Sequence, residues 1–545
     1  MNALGKTTLS LLLCALAFPL SSWARIEEGD TLSFWSVAYV DWQPDVPVSQ
    51  REIAAVCNTV GEDCYVFIDT TLAQVPAQPR IDAMAEAFDT GYSLSLPSLY
   101  GPLPDEFDGD PRIFILIIPQ EGWTGYFDPA QQMADSLVLR LWEKHSSERE
   151  IVYLASTAFT YSSELTVLAH EFGHMLHWGQ DHSPEPPEDP VKYWEDAWID
   201  EAFATFAPVY LIEDVNAPDV YDYAAFFATQ PDLSLIHFAS YDQVQLWATF
   251  MWEHYGGEDF MSTLIADQEN GLPGVRNTLA SLGHPETFED AFEHWIIANY
   301  LDDEEYEGGR YSYYHYNFPS CRLASVHGTY PTGVRTSTVF SFAADYIAFD
   351  APAAAPITVD FSGDSTSMFR VSCILVDRAS SEVMGIQSVP LDSLNRGSLY
   401  SEGFGTTYDR LVMAVMNVDE AMGEEESAQY TYEASVETSG IDRDEDRMGS
   451  TKAPFTSLDQ NYPNPFNPVT TMTYRLAEES RVKLIVFDCR GHAIQNLVDE
   501  VQAAGTHRIE WDGRDSEGNA VPSGIYFCRL VADGFVETRK MLLAE

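Results

Sequence analysis

The sequence predicts a multidomain chain: an α+β unit over residues 25–320, a β-sandwich over 335–437 and a small β-sandwich over 455–545. Three observations predict it. The chain has 545 residues, 45 % of them hydrophobic, which is enough for the cores of two to four domains. Apolar residues recur at helical spacing around residues 164–178 and 194–211, then with a period of two from about 335 onward. Between the two β-rich stretches, the charged run 438–454 has little to bury and reads as a linker.

Residues 1–24, MNALGKTTLSLLLCALAFPLSSWA, combine a basic Lys6, an apolar core from Leu9 to Leu20 and a small-residue site at Ser22-Trp23-Ala24. This is the pattern of a secretory signal peptide, which addresses the chain outside the cytoplasm, to a secreted or cell-surface location. No later stretch nears 18 uninterrupted apolar residues, so no transmembrane segment is expected in the mature chain. Six cysteines follow the signal, an even count that suggests disulfides in an exported protein. Cys57–Cys64 and Cys489–Cys528 are the candidate local pairings, which would leave Cys321 with Cys373, although spacing alone leaves the connectivity open.

The formal net charge is −56, from 29 Lys and Arg against 85 Asp and Glu. Such a surface disfavours nucleic acid as a partner, repels anionic membranes and attracts basic partners. It keeps an exported protein soluble, and it also suits salty surroundings.

From residue 25 to 150 the chain reads as β-rich, with strands at 64–68 and 112–119 and one amphipathic helix from Ile81 to Phe88. The acidic loop DEFDGD, with Asp105, Asp108 and Asp110, lacks calcium-loop spacing and reads as a solvated turn. Ile151 to Ala155 is expected as a further strand, one whose edge an extended peptide could follow. Further helices are expected at 241–255, 258–267 and 286–300.

The chemistry lies in SSELTVLAHEFGHMLHW. His170 and His174 are four apart, so on a helix both imidazoles reach the same side and can hold one metal ion. Glu171 stands beside the first of them, placed to take a proton from water as general base. Leu165, Leu168, Phe172, Met175 and Leu176 recur at helical spacing with no proline among them, which supports that helix.

A third ligand can be sought at several spacings. A glycine three residues after His174 and a histidine six after it would make one pattern, but those positions are His177 and Gln180. Gly179 and His182 have the right mutual spacing, displaced by two residues. His177 is instead read as a packing or supporting histidine. Glu201 in WIDEAFA, 27 residues beyond His174 (201 − 174), completes a His-His-Glu set for Zn2+ with a fourth position open to water. Asp196 or Asp200 is expected to orient a ligand histidine. Tyr241, with His237 behind it, is the candidate donor to a developing oxyanion.

HEFGHMLHW followed by EDAWIDEAFA resembles the gluzincins, zinc peptidases with a glutamate as third ligand. WIDEAFA is similar to the W-L-N-E-G-F-A segment of their aminopeptidase branch, with Asp200-Glu201-Ala202 where Asn-Glu-Gly is usual. The secreted hyicolysin-type peptidases look similar over roughly 50–300, including Cys64-Tyr65-Val66, GYFDP at 125–129 and EREIVYL at 148–154. The resemblance implies a zincin-like α+β catalytic domain, with His170, His174 and Glu201 as ligands and Glu171 as catalytic base. No G-x-M-E-N segment is present to hold a substrate amino terminus, so an endopeptidase of protein and peptide substrates is expected over an aminopeptidase. A surface-binding protein with a silent site is the reading from another class.

Residues 455–545 contain LDQNYPNPFNP, VKLIVFDCRGHAIQNLV and AGTHRIEWDGRDSEGNAVPSGIYFCRL. They closely resemble the type A sorting domain of type IX secretion, a FlgD-like immunoglobulin-type β-sandwich. The resemblance implies the type IX secretion machinery as a partner and passage through the outer membrane. WDGRDSEGN is read as a hairpin turn rather than a calcium loop.

Overall fold

The computed structural model describes residues 25–38, 49–103, 109–119, 124–161, 164–181, 195–211, 226–314, 318, 320–437, 457–458, 461, 466, 468–476, 479–488, 492–516, 518–532 and 535–543. The signal segment, Asp105, Asp108, the loop at 182–194, the linker 438–454 and Cys489 lie outside the described residues. The chain divides into two units: Met1–Tyr223 with Val244–Pro285, and Ala224–Gln243 with Glu286–Glu545.

The first unit is built on a mixed six-stranded sheet. Its strands are β1 (Thr31–Ala38), β2 (Ser49–Val60), β3 (Cys64–Asp69), β4 (Ile113–Ile118), β5 (Gly125–Phe127) and β6 (Ile151–Ala155), in the order β1-β2-β3-β4-β6-β5. β3, β4 and β6 run parallel. Every residue of these three is buried, as their unbroken apolar runs require of parallel strands covered on both faces. The free edge expected at Ile151–Ala155 is therefore elsewhere. β5 pairs antiparallel with β6 and is the outermost strand of the sheet.

Among the described residues of this unit before residue 212 the α-helices are α1 (Gln78–Ala87), α2 (Ser93–Tyr100), α3 (Asp135–Trp142), α4 (Ala158–Tyr161), α5 (Glu164–Asp181) and α6 (Ala197–Leu211). Two of them, α2 and α3, go beyond the single helix expected before residue 150. SLSLPSLY alternates with a period of two and carries Pro97, yet it is helical, burying Leu96, Leu99 and Tyr100. Packing has overridden propensity there. The pair α5 and α6 forms the heart of the unit. Phe172 meets Phe88 edge-on at 4.9 Å, Trp198 meets Trp247 at 4.8 Å, and the buried Tyr100 hydroxyl donates to Phe203 O at 2.8 Å. Val244–His254 of the helix Tyr241–His254 and the helices Glu258–Ala266 and Leu272–Ser281 also belong to it, the last unexpected from sequence.

The second unit is mostly β. Strands β7 (Ser325–His327), β8 (Arg335–Phe340), β9 (Ala343–Asp350), β10 (Ile357–Gly363), β11 (Phe369–Asp377), β12 (Glu382–Ser388), β13 (Arg396–Ser401), β14 (Arg410–Asn417) and β15 (Ser427–Val436) form two sheets, β13-β10-β15-β8 and β12-β11-β14-β9-β7. Phe361, Phe369, Met413 and Tyr430 fill the space between them. The helix Phe288–Leu301, expected within the α+β stretch, belongs to this unit. Tyr346 donates to Ile296 O, and Arg370 reaches both Asp290 and Glu293.

The C-terminal strands β16 (Ser457–Leu458), β17 (Thr470–Leu476), β18 (Ser480–Asp488), β19 (Ala493–Gln502), β20 (Gly505–Trp511), β21 (Gly524–Ala532) and β22 (Phe535–Leu543) form a second pair of sheets, β16-β17-β20 and β19-β18-β21-β22. Leu484, Trp511, Tyr526 and Met541 lie in their core. The WDGRDSEGN stretch is a turn: Asp515 N donates to Asn519 O, and Gly518 N to Asp515 O.

Among the described residues neither Cys57–Cys64 nor Cys321–Cys373 forms a disulfide, and the five described cysteines are buried free thiols; the expected partner of Cys528, Cys489, lies outside the described residues. Alternation along the strands is the reason. Cys57 packs with Tyr65 and Phe67 on one face of the first sheet, whereas Cys64 lies on the other, beside Asp89. Cys373 points into the sandwich core, while Cys321 sits against Tyr346, whose hydroxyl turns out of that core to Ile296. Cys528 is a core residue of the C-terminal sandwich. Burial pushes the Cys57 thiol up to about 11 and the Cys528 thiol up to about 12. Among the described residues, no helix is long and apolar enough to cross a membrane.

Candidate metal centre

Helix α5 presents His170, Glu171, His174 and His177 over two turns, and α6 brings Asp200 and Glu201 against them. The approach depends on Gly173. A Cβ there would stand 3.2 Å from both Ala204 Cα and Ala207 Cβ, so any side chain would have to push the two helices apart by a few tenths of an ångström.

His170, His174 and Glu201 converge on one point. The two Nε2 atoms are 3.2 Å apart, and Glu201 Oε2 lies 3.4 Å from that of His170 and 3.5 Å from that of His174. Ligands about 2.0–2.1 Å from a tetrahedral zinc stand about 3.3–3.4 Å from each other, so the three atoms match one face of such a tetrahedron. Glu201 Oε2 is buried and makes no hydrogen bond of proper geometry. A buried carboxylate oxygen in that state is costly unless a cation meets it. The donor set therefore fits zinc. It is the one cluster of this kind among the described residues.

Asp200 supports the set from behind. Its Oδ2 lies 3.1 Å from His174 Nδ1 and its Oδ1 lies 2.9 Å from His177 Nδ1. This leaves His174 Nε2 as the nitrogen turned to the ion, the usual role of a carboxylate behind a metal-bound imidazole. His177, 2 % exposed, thus serves as the second anchor of Asp200. Asp196 has another task. Its carbonyl accepts from Ile199 N and Asp200 N at the start of α6.

Glu171 is 6 % exposed. Burial pushes its carboxyl up, with the imidazoles of His170 and His174 opposing. Burial also acts on Glu201, but His174 and His170 hold it down to about 2. Protons and a metal compete for the same imidazole atoms here. On its other side Glu171 faces the edge strand. A Cβ on Gly125 of β5 would come within 3.0 Å of Glu171 Oε1 and 2.6 Å of Val167 Cγ1. The sequence reading assigned no role to Gly125 or Gly173; both matter for the space they leave, which no spacing pattern encodes.

Tyr241, 37 % exposed, is a residue of the second unit at the start of the helix Tyr241–His254, whose residues from Val244 onward belong to the first unit; its ring is edge-on to Phe238 at 5.0 Å. His237 in the same unit lies 3.0 Å from Ser234 Oγ through Nδ1. Asp110, at the end of the acidic loop, accepts from the Tyr65 hydroxyl at 2.6 Å.

Residues 467–534 match the FlgD Ig-like domain family. No curated protein matches the chain. Among solved structures, PorZ, an essential bacterial surface component of the type-IX secretion system of Porphyromonas gingivalis, aligns at 19 % identity over 18 % of this chain and 13 % of its own, with a TM-score of 0.13. Dimeric latent PorU of the same organism aligns at 12 % identity over 35 % of this chain and 18 % of its own, with a TM-score of 0.16. A β-glucuronidase of Bifidobacterium dentium aligns at 8 % identity over 37 % and 39 %, with a TM-score of 0.13. The chain spans less than a fifth of the length of either Porphyromonas protein.

Proposed function

We propose that the chain is a secreted zinc-dependent endopeptidase with a zincin-like catalytic unit. The single observation that carries the reading is the trio of distances among His170, His174 and Glu201, which suits one face of a zinc tetrahedron. Bound zinc supplies Lewis acidity toward water and the scissile carbonyl. Everything else falls to the chain's own groups. Asp200 places a carboxylate charge behind the His174 ring, 3.1 Å from Nδ1, and α5 holds Glu171 between the ligand trio and β5. A substrate strand running along the edge of β5 carries its carbonyl past Glu171. Glu171 accepts a proton as water attacks the carbonyl carbon, then delivers it to the amine nitrogen as the C–N bond breaks.

Hydrolysis of labelled casein by the chain and by Glu171→Gln, with zinc content measured in both, tests this. The expected result is loss of turnover by at least about a hundredfold with zinc retained, in line with general-base catalysis. Zinc absent from the parent chain would discard the reading in favour of a silent surface-binding protein. Cleavage confined to peptides with free amino termini would make it an aminopeptidase.

The FlgD Ig-like match and the signal pattern support export by the type IX machinery, with 455–545 as its sorting domain. Deleting 455–545 in a host with that machinery is expected to trap the protein inside the outer membrane. Unchanged appearance in the medium or on the cell surface would refute the assignment.

A further inference from the structure

Acidic groups outnumber basic ones 85 to 29 over the chain, yet one face of the C-terminal sandwich reverses that balance. In the sheet β19-β18-β21-β22, Val482, Leu484, Cys528, Leu530 and Met541 point into the core. Alternation turns their neighbours outward. Those neighbours include Arg481 and Lys483 of β18, Arg529 of β21 and Lys540 of β22. Lys483 and Lys540 are two of only six lysines in the chain. Asp499 of β19, which pairs with both Arg481 at 3.0 Å and Lys483 at 3.6 Å, is the single carboxylate on this face among the described residues, which leaves a local charge of +3 (4 − 1).

The register sorts the face by chemistry. Phe487 lies opposite Phe527, and Ile525 opposite Leu542. Ile525 is 43 % and Leu542 38 % exposed, so large aliphatic side chains stand in water beside the cations. The Arg529 guanidinium lies 5.1 Å from the centre of the Phe487 ring, and its Nε donates to Thr538 Oγ1 at 3.2 Å. The arginine is thereby held flat across the sheet.

We propose that this face docks the C-terminal sandwich onto an anionic phospholipid surface. Headgroup phosphates complement the four cations, and the aliphatic end gains by leaving water; basic and apolar groups on one face are the mark of an interfacial surface. The area favours lipid over a protein partner. Four strands about 4.8 Å apart and about eight residues long cover roughly 500 Å². A stable protein complex takes about 800 Å² from each side. The chain's charge of −56 opposes approach as a whole, but exposed charges more than about 8 Å from the contact are screened at physiological ionic strength.

The test is co-sedimentation of the full chain carrying Glu171→Gln, which removes self-cleavage, with vesicles of phosphatidylglycerol and phosphatidylcholine in equal parts, beside pure phosphatidylcholine. Enrichment on the anionic vesicles that weakens with added salt is expected. Each basic residue near such a surface is worth about fivefold in partitioning, so Lys483→Glu with Arg529→Glu should reduce it by more than about tenfold. Ile525→Ser with Leu542→Ser should weaken it too, and the neutral pair Lys483→Gln with Arg529→Gln covers misfolding of the reversed one. No preference for the anionic vesicles, or equal binding by folded charge variants, would overturn the proposal. Because the probe protein is inactive by design, the outcome does not depend on the peptidase reading.

Discussion

At the scale of single residues, the centre shows how much one side chain behind the ligands can do. Asp200 touches no position an ion would occupy, yet its two oxygens engage His174 and His177 together. Replacing it with Asn keeps the volume and offers His177 a neutral acceptor, but removes the charge behind the His174 ring. Zinc affinity of Asp200→Asn, measured by competition with a chelator, should fall about 10- to 100-fold, as it does for other supporting groups. An unchanged affinity would mean that packing alone orients the imidazole. The convergence of His170 and His174 was legible in the sequence because four-residue spacing on a helix is a geometric statement. Glu201 was legible through its aromatic neighbours, since Trp198, Phe203 and Phe206 are all buried and fix which way α6 faces. The choice between Asp196 and Asp200 was not, because it depends on where the second helix begins: Asp196 caps α6 and Asp200 lies within it.

At the scale of elements, the distance between α5 and α6 sets the ligand geometry, and Gly173 sets that distance. Two effects compete in Gly173→Ala. Alanine gains about 1 kcal/mol of helix propensity over glycine. Its methyl group, 3.2 Å from Ala204 Cα and Ala207 Cβ, must push the helices apart by a few tenths of an ångström, and overpacking costs typically about 1–3 kcal/mol. Stability of the zinc-free chain should therefore change little or fall modestly. Zinc affinity should fall more clearly, because Glu201 retreats from both imidazoles with the helix that carries it. Titrating zinc into the variant and following unfolding without metal separates the two; equal losses in both would show that helix spacing does not control the site. Elements also explain what the sequence hid. β5 is only three residues long and α2 carries a proline, so neither announces itself by periodicity, yet one forms the sheet's outer strand and the other buries Leu96 and Leu99. Strands with unbroken apolar runs, such as Ile113–Ile118, were read with bounds close to those observed because burial on both faces leaves that sequence no alternative.

At the scale of the whole molecule, charge and cysteine count invited different arguments, and only one of them survives in the fold. An even cysteine count suggested cross-links, but strand alternation decides which faces thiols occupy, and that needs the register. Ion pairs such as Arg410–Asp350 and Arg378–Asp409 brace one end of the larger sandwich. The net charge of −56 works against compactness through self-repulsion. Salt screens both effects, so the sign of its influence depends on which is larger. Surface pairs of this kind are worth about 0–1 kcal/mol each. Basic residues, at 29, can neutralise only about a third of the 85 acidic ones, so repulsion among the remainder should dominate. Raising sodium chloride from about 10 mM to about 0.5 M shortens the screening length from about 30 Å to under about 5 Å. Thermal unfolding, followed separately for each transition because a chain of several units need not melt as one, should then shift upward. A downward shift would mean that the scarce cations stabilise the fold more than their number suggests, with ion pairs such as Arg370 with Asp290 and Glu293 outweighing the repulsion.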